Sequence, residues 1–538
     1  MSTIQAWKRL VSQSGAVSLL IGLGIAGSAL VDIVVAAKFG LGAEVDAFFV
    51  AYTIPSIISA VTLSASNAAL VPCFARDLQE NGRDSTWALF STVFNIALGT
   101  GLVVFTTGML TGNLLPTILA PGADRATIDL AAQLSRILFI IVPFIGPIGV
   151  TRAFLNAHKR FITPAVLDLV RSITVLLVVW ATHAIWGLTS VAVGFALGGL
   201  LQFALLVTLL IKELGLGYRF CLDLRHPVLC QAKRLLTAPF IDQGLTQVIL
   251  VAERAIGSLF PPGSISVLGY GHRLSSVIVA VLCGGIETVT LPSLSDYAAS
   301  RSPRNLRQAQ ETLVMSLRFV TILSIPVASA VASLNAPLSR LIFERGAFDR
   351  AATLLAGSVL GLYALSIPFV GHLLLLRNYF YAAMKASQLI LLSLWRAVLF
   401  IVIGVSLARV IGLRGVALAL AASTGLVNGL GYMFVRKEMP TLPLKRMIIL
   451  WGKVIIASMI MSLTLGGVWE GLGRLVTASR TLHDLMRLAA AGVVGVAVLS
   501  TSLVLLRVKE TSLVLGSSGE VRLFASPLSE SGSEGQGG

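Results

Sequence analysis

Residues 263–296 read GSISVLGYGHRLSSVIVAVLCGGIETVTLPSLSD. The run is long and apolar enough to cross a hydrocarbon core, which takes about 20 residues as a helix. Yet it carries His272, Arg273 and Glu287. Ionisable groups at membrane depth are costly unless they face a wet cavity or a partner. A charged spanning helix of this kind implies transport rather than anchoring.

Composition agrees. Of 538 residues, 56% are hydrophobic and 12% charged, against roughly 25% charged in soluble domains. The fold class is an all-α polytopic membrane protein. The net charge of +16 reflects Lys and Arg in cytoplasmic loops. Without a basic, aromatic-interleaved soluble domain, nucleic acid is excluded as a partner. Cys73, Cys221, Cys230 and Cys283 form no CxxC pair and have no His at zinc spacing, so no metal site is expected. The N-terminus is basic, then apolar, with no small-residue cleavage site, which reads as a retained first helix.

Window hydropathy places about fourteen spans. They lie near 14–37, 45–71, 87–111, 129–150, 162–185, 187–211, 235–258, 264–291, 311–333, 352–376, 386–408, 414–435, 447–469 and 485–506. Basic residues mark alternate loops as cytoplasmic: Lys8 and Arg9, then Arg152, Lys159 and Arg160, then Lys212 to Arg234. Arg301, Arg304 and Arg307 follow, then Arg436 to Arg446. The loops at 340–350 and 470–487 weaken the bias. Both termini are then cytoplasmic. The expected organisation is an N-lobe over 1–211, a cytoplasmic linker over 212–234 and a C-lobe over 235–436. Two further helices follow over 437–510, and 511–538 is a Ser/Gly/Glu-rich tail expected to be disordered.

Two internal echoes define the architecture. Residues 45–77 align without gaps on 265–297, Pro72 falling on Pro292. RAFLNAHKRFITPAVLDLVR at 152–171 aligns on RNYFYAAMKASQLILLSLWR at 377–396, Arg152 meeting Arg377 and Arg171 meeting Arg396. The offsets, 220 and 225, span six helices, an even number. The copies keep one orientation, as parallel repeats related by an axis along the membrane normal.

Arg273 is the leading candidate for substrate binding. Arginine stays charged and forks onto phosphate, so in a cavity it suits a pyrophosphate ligand; the structural alternative is snorkelling or a carboxylate partner. His272 adjoins it, with a hydrogen-bonded neutral ring as its alternative. Asp32 is deep enough to pair with Arg273. Asp46 opens the second span, where capping is the alternative role. Asp242, near Pro239, is a candidate site for Na+ or H+. Arg396 is a second arginine within a span. Asp168 and Arg171 share a helix face and are expected to neutralise each other. Glu253 and Arg254 read as an interfacial pair, and Glu287 as a snorkelling acid. No nucleophile elbow, HExxH or GxxxxGK[ST] is present, so no enzyme activity, cofactor or ATP hydrolysis is expected.

VDAFFVAYTIPSIISAV…ALVPCFARD at 45–77, SISVLGYGHRLSSVIVAVLCGGIETVTLPSLSD at 264–296 and AHKRFITPAV at 157–166 resemble motifs of the MviN/MurJ lipid II flippase family. That family is a branch of the multidrug/oligosaccharidyl-lipid/polysaccharide exporters. The resemblance implies a non-enzymatic flippase of the bacterial cytoplasmic membrane. It would move an undecaprenyl-pyrophosphate-linked saccharide outward by alternating access of two six-helix lobes around a cationic cavity, with the last two helices grooved for the polyprenyl tail. It carries substrate contacts onto Arg273 and Asp46. The chain departs from the family pattern at Ile25, Val31 and Ser59, where arginines are usual, and at His272, where an acid is usual. Rival readings are a cation-coupled drug or metabolite antiporter, an exopolysaccharide-precursor exporter and a non-transporting membrane scaffold.

Overall fold

Prolines, left-handed residues and polar caps divide the apolar runs into helices. The computed structural model describes residues 3–215, 217–223, 227–300, 303–439, 442–473 and 480–508. Every regular element among them is helical, as lipid requires, since a helix satisfies its own backbone. The first half comprises α1 (Thr3–Phe39), α2 (Ala43–Ala65), α3 (Val71–Glu80), α4 (Gly82–Leu110), α5 (Leu114–Leu119), α6 (Arg125–Phe139), α7 (Val142–Ala157), α8 (Ile162–Trp186) and α9 (Thr189–Leu214). The second comprises α10 (Pro227–Gly257), α11 (Ser264–Ser300), α12 (Pro303–Ser333), α13 (Asn335–Phe343), α14 (Arg350–Ala364), α15 (Ile367–Ala382), α16 (Ala386–Ile411) and α17 (Leu413–Glu438). Helices α18 (Leu444–Gly473) and α19 (Arg480–Leu505) close the chain. A π-turn at Ser66–Leu70 joins α2 to α3, widening the helix just before Pro72, which has no N–H to donate.

Eleven helices are long and apolar enough to cross a membrane, and thirteen spans result if each bent pair, α6 with α7 and α14 with α15, counts as one. The sequence reading expected about fourteen. The difference is α10, which is helical over the expected seventh span but carries Asp242, Gln243, Gln247, Glu253 and Arg254. Its charged groups turn inward: Asp242 and Glu253 are fully buried. Outward faces of other helices expose Leu110, Trp180, Val410 and Leu463, as a lipid-facing surface should.

The internal repeat is visible in backbone detail. The bent pairs turn by 43° and 41°, just before Pro143 and Pro368, whose rings break the helical ladder. Asp124 and Asp349 cap α6 and α14 through their side chains. Lys159 and Met384 both take a left-handed backbone. Gly187 and Gly412 do so between the last two helices of each half. Each second member lies 225 residues after the first.

At the end carrying the α1–α2, α5–α6, α10–α11 and α13–α14 connections, the halves close on each other. Ala347 N donates to Ala37 O at 2.8 Å, and Gly122 N donates to Ser258 Oγ at 3.0 Å. One apolar cluster runs through both halves here, including Val31, Phe49, Ile265, Tyr270 and Phe348. At the opposite end the second half adds only Leu236 of α10, among the described residues, to the first-half cluster around Phe74 and Trp87. There residues 217–223 run along α4, with Asn95 Nδ2 donating to Cys221 O. The α18–α19 hairpin packs on α12 through Leu450, Val454 and Leu503. Arg340 of α13 also reaches Asp484 at 3.3 Å. The tail 511–538 and the Glu287 side chain lie outside the described residues.

The closed end depends on Gly346, which has φ of +59° and where a Cβ would stand 2.2 Å from Ala37 O. Gly346→Val should lower stability by more than about 1 kcal/mol and expose a cysteine placed at position 37. Thermal unfolding in detergent and thiol labelling read the two effects.

Candidate functional site

Between the halves lie two adjoining chambers, of about 440 Å³ and 350 Å³. They share Ser28, Tyr52, Arg171, Phe195, Ser276 and Val277 as lining. The inner chamber, nearer the closed end, holds Asp32, Arg254, His272 and Arg273. The outer one, nearer the start of α1, holds Ile25, Ser59, Arg152 and Asp168.

Arg273 of α11 pairs with Asp32 of α1, joining the two halves at membrane depth. Both remain partly exposed to the chamber, at 29% and 16%. The Arg273 guanidinium also lies 5.0 Å from the centroid of Phe49 and 5.3 Å from that of Tyr52. Arg254 lies 4.9 Å from the same Phe49 ring, so one aromatic face environment serves two cations. Gly269 permits this approach, because a Cβ there would come within 2.6 Å of Phe49.

Asp168 acts on Arg171 through space, as helical spacing suggested, but its direct ion pair lies elsewhere. Arg152 of α7 takes it in a bidentate pair, with contacts of 2.7 and 3.0 Å, and Gln202 adds a third bond at 2.9 Å. A fork that reaches both carboxylate oxygens outcompetes a neighbour three residues along the same helix. Arg171 is left lining both chambers with no ion pair or hydrogen bond among the described residues.

Glu253 and Arg254 do pair, at 3.7 Å, but not at an interface. Both are buried. Glu253 Oε2 lies 2.7 Å from His272 Nδ1, and Arg254 donates to Ile265 O at 2.9 Å. Packing by α2, α11 and α16 covers this end of α10, which hydropathy alone could not reveal.

Asp46 accepts from Gly263 N and Ser266 N, each at 2.7 Å. It therefore caps the start of α11 from the other half, supplying in trans the bonds of a capping box, and lines neither chamber. Asp242 accepts from Arg377, Tyr381 and Ser393. Arg396 donates to Thr424 at 3.2 Å and also lines neither chamber. Thus Arg273, His272 and Asp32 come together in the cavity, while Asp46, Asp242 and Arg396 do not join them.

The site residues missed in sequence are Arg152, Arg171 and Arg254. The signal for the first two was present: both anchor the 225-residue repeat, Arg171 inside the fifth span and Arg152 just past the fourth. In sum the chambers present four arginines, Arg152, Arg171, Arg254 and Arg273, against Asp32, Asp168 and the Glu253 carboxylate behind Arg254, a surplus of one positive charge. Such a concave, cationic, aromatic-walled space suits an anionic headgroup.

Comparison with known proteins meets this geometry. The family model described as "Lipid II flippase MurJ" matches residues 35–479. The chain belongs to the MurJ lipid II flippase family. A "Probable lipid II flippase MurJ" of Rhizobium tropici is 27% identical over 402 residues, covering 73% of this chain and 74% of the relative. A "Lipid II flippase MurJ" of Burkholderia cenocepacia is 24% identical over 416 residues, covering 76% and 80%. In fold, a structure of "Lipid II flippase MurJ, inward closed conformation" superposes with a TM-score of 0.73 at 21% identity, covering 94% of this chain and all of that one. An inward-facing multidrug resistance MATE family transporter of the MOP superfamily gives 0.65 at 13% identity, covering 79% and 94%. The protein is a multi-pass membrane transporter, not an enzyme.

Asp46→Ala would strand two backbone donors at the junction of the halves, at a cost of about 1–3 kcal/mol each if they stay buried. The expected outcome is a shift toward states open at the sealed end, read as increased thiol labelling of a cysteine at position 41.

Proposed function

We propose that this protein carries an undecaprenyl-pyrophosphate-linked saccharide, lipid II or a related glycan precursor, across the bacterial cytoplasmic membrane. Movement runs from the cytoplasmic to the outer leaflet for cell-wall biogenesis. The observation that carries the reading is the positive surplus in a cavity between two halves, with Arg171 in no ion pair or hydrogen bond among the described residues and Arg273 held by only one exchangeable carboxylate. A pyrophosphate entering from the α1 end meets Arg171 first. It then competes with Asp32 for Arg273. Each charge-assisted contact is worth about 1.5–3 kcal/mol, enough to exchange one inter-half ion pair for ligand contacts. Losing that pair frees the halves to part at the sealed end, which is the elementary step of alternating access.

In this reading 1–211 and 235–436 are the moving lobes, and both termini are cytoplasmic by the distribution of Lys and Arg. The α18–α19 hairpin over 437–510, fastened to the C-lobe through α12 and α13, guides the polyprenyl tail. The residues absent from the family pattern at Ile25, Val31 and Ser59 are replaced in function by arginines on α7, α8 and α10.

The antiporter alternative requires a carboxylate open to Na+ or H+. Asp242 already accepts three donors, one of them the guanidinium of Arg377. Arg377 thus serves as a built-in cation, and the cycle needs no ion at this carboxylate.

Arg171→Ala and Arg273→Ala should each slow flipping in proteoliposomes at least about tenfold and fail to support growth when a lipid II flippase is depleted. Normal growth on both variants would reject the cavity as the substrate site. Exchanging Na+ for K+ should leave wild-type transport unchanged. Asp242→Asn should instead destabilise the fold by about 3–5 kcal/mol, as expected when a buried arginine loses its partner, measured by thermal unfolding.

A further inference from the structure

The cycle above leaves one ionisable couple of the inner chamber without a task. Glu253, fully buried on α10, holds His272 Nδ1 at 2.7 Å. The imidazole is 28% exposed and lines the chamber. An ionised carboxylate only accepts, so Nδ1 carries the hydrogen and the tautomer is set from behind. Nε2 has no protein partner among the described residues and is not buried, which leaves it open to the chamber.

We propose that Glu253 is a positioning residue for His272, and that the imidazole takes up a proton as a diphosphate headgroup binds, making substrate affinity depend on pH. This rests on the diphosphate reading of the cavity. A ring that donates from Nδ1 to Glu253 and from Nε2 to a phosphate oxygen is necessarily the imidazolium. A neutral ring with this tautomer would instead aim its Nε2 lone pair at the anion.

The surrounding charges tie the proton to the ligand. Arg254 of α10 lies 3.7 Å from Glu253 and competes for its field. Arg273, next on α11, is answered by Asp32 of α1, with Tyr52 of α2 beneath it. Arg171 of α8 shares the chamber and forms no ion pair among the described residues. The Tyr363 ring of α14 stands 5.5 Å from the imidazole, with its hydroxyl beside Glu253. In the empty cavity Glu253 favours a positive charge on the ring while the arginines oppose it, so the ring is only partly protonated there. A diphosphate cancels that opposition and adds an acceptor on the open side. The bound state then holds one more proton than the free state, so affinity falls as pH rises.

The test is binding of radiolabelled farnesyl diphosphate to the full-length chain in nanodiscs from pH 6 to pH 8. One linked proton weakens binding by at most about tenfold per pH unit, and wild type should lose roughly tenfold across the range. The probe's own ionisation acts in the opposite sense and is common to all variants. His272→Asn should remove the wild-type fall while still binding. Glu253→Gln should flatten the profile with little change at pH 8, whereas a purely structural role would weaken binding equally at every pH. Glu253→Asp, which keeps the charge beside Arg254, should restore the slope. A pH profile identical in wild type and His272→Asn would overturn this inference alone. No probe binding at any pH would overturn the diphosphate reading and this inference with it.

Discussion

The ion pair between Arg273 and Asp32 ties α11 of one half to α1 of the other inside the membrane. Neither charge could stay there alone, since desolvation of an unpaired ion costs several kcal/mol. Their mutual attraction therefore draws the halves together and keeps the guanidinium ready for a better acceptor. Phe49 and Tyr52 shape the space around it, Gly269 lets α11 come close enough, and Asp46 fixes the start of that helix. Much of the closed end can be read as support for this one contact.

The duplicated halves show how one scaffold position finds different partners. Arg152 and Arg377 occupy matching places 225 residues apart. In the first half the acid is Asp168, on α8. In the second half that place is Ser393, and the acid comes instead from Asp242 on α10. Each half thus neutralises a buried arginine by its own route. The second arginine of each repeat then diverges: Arg171 faces the cavity, while Arg396 turns to Thr424. Cationic duty is shared between the halves, with Arg171 from the first and Arg254 and Arg273 from the second.

Some of this was legible in the chain. Apolar runs of helical length, interrupted by charges, announced a transporter. The repeat was readable because Arg152, Arg171, Arg377 and Arg396 recur at one spacing. The Arg273 pairing with Asp32 was legible because only a few carboxylates lie at that depth. The partners of Asp168, Glu253 and Asp46 were not, because each is chosen by a different helix. Local spacing favoured Arg171 for Asp168, an interface for Glu253, and the helix that carries Asp46 for its cap. Tertiary contacts decided all three: a bidentate or doubly donated bond outweighs a neighbour on the same helix for Asp168 and Asp46, and burial took Glu253 away from the interface.

By itself the sequence determined that the chain is a helical, duplicated membrane protein with costly charges at depth. Hydropathy and repetition act along the chain, and both survive without knowledge of the fold. Only the tertiary structure decided which arginines remain available to a ligand. Availability is a difference between a charge and its partners, and those partners lie from one residue away, as for Arg254 and Glu253, to 241 residues away, as for Arg273 and Asp32.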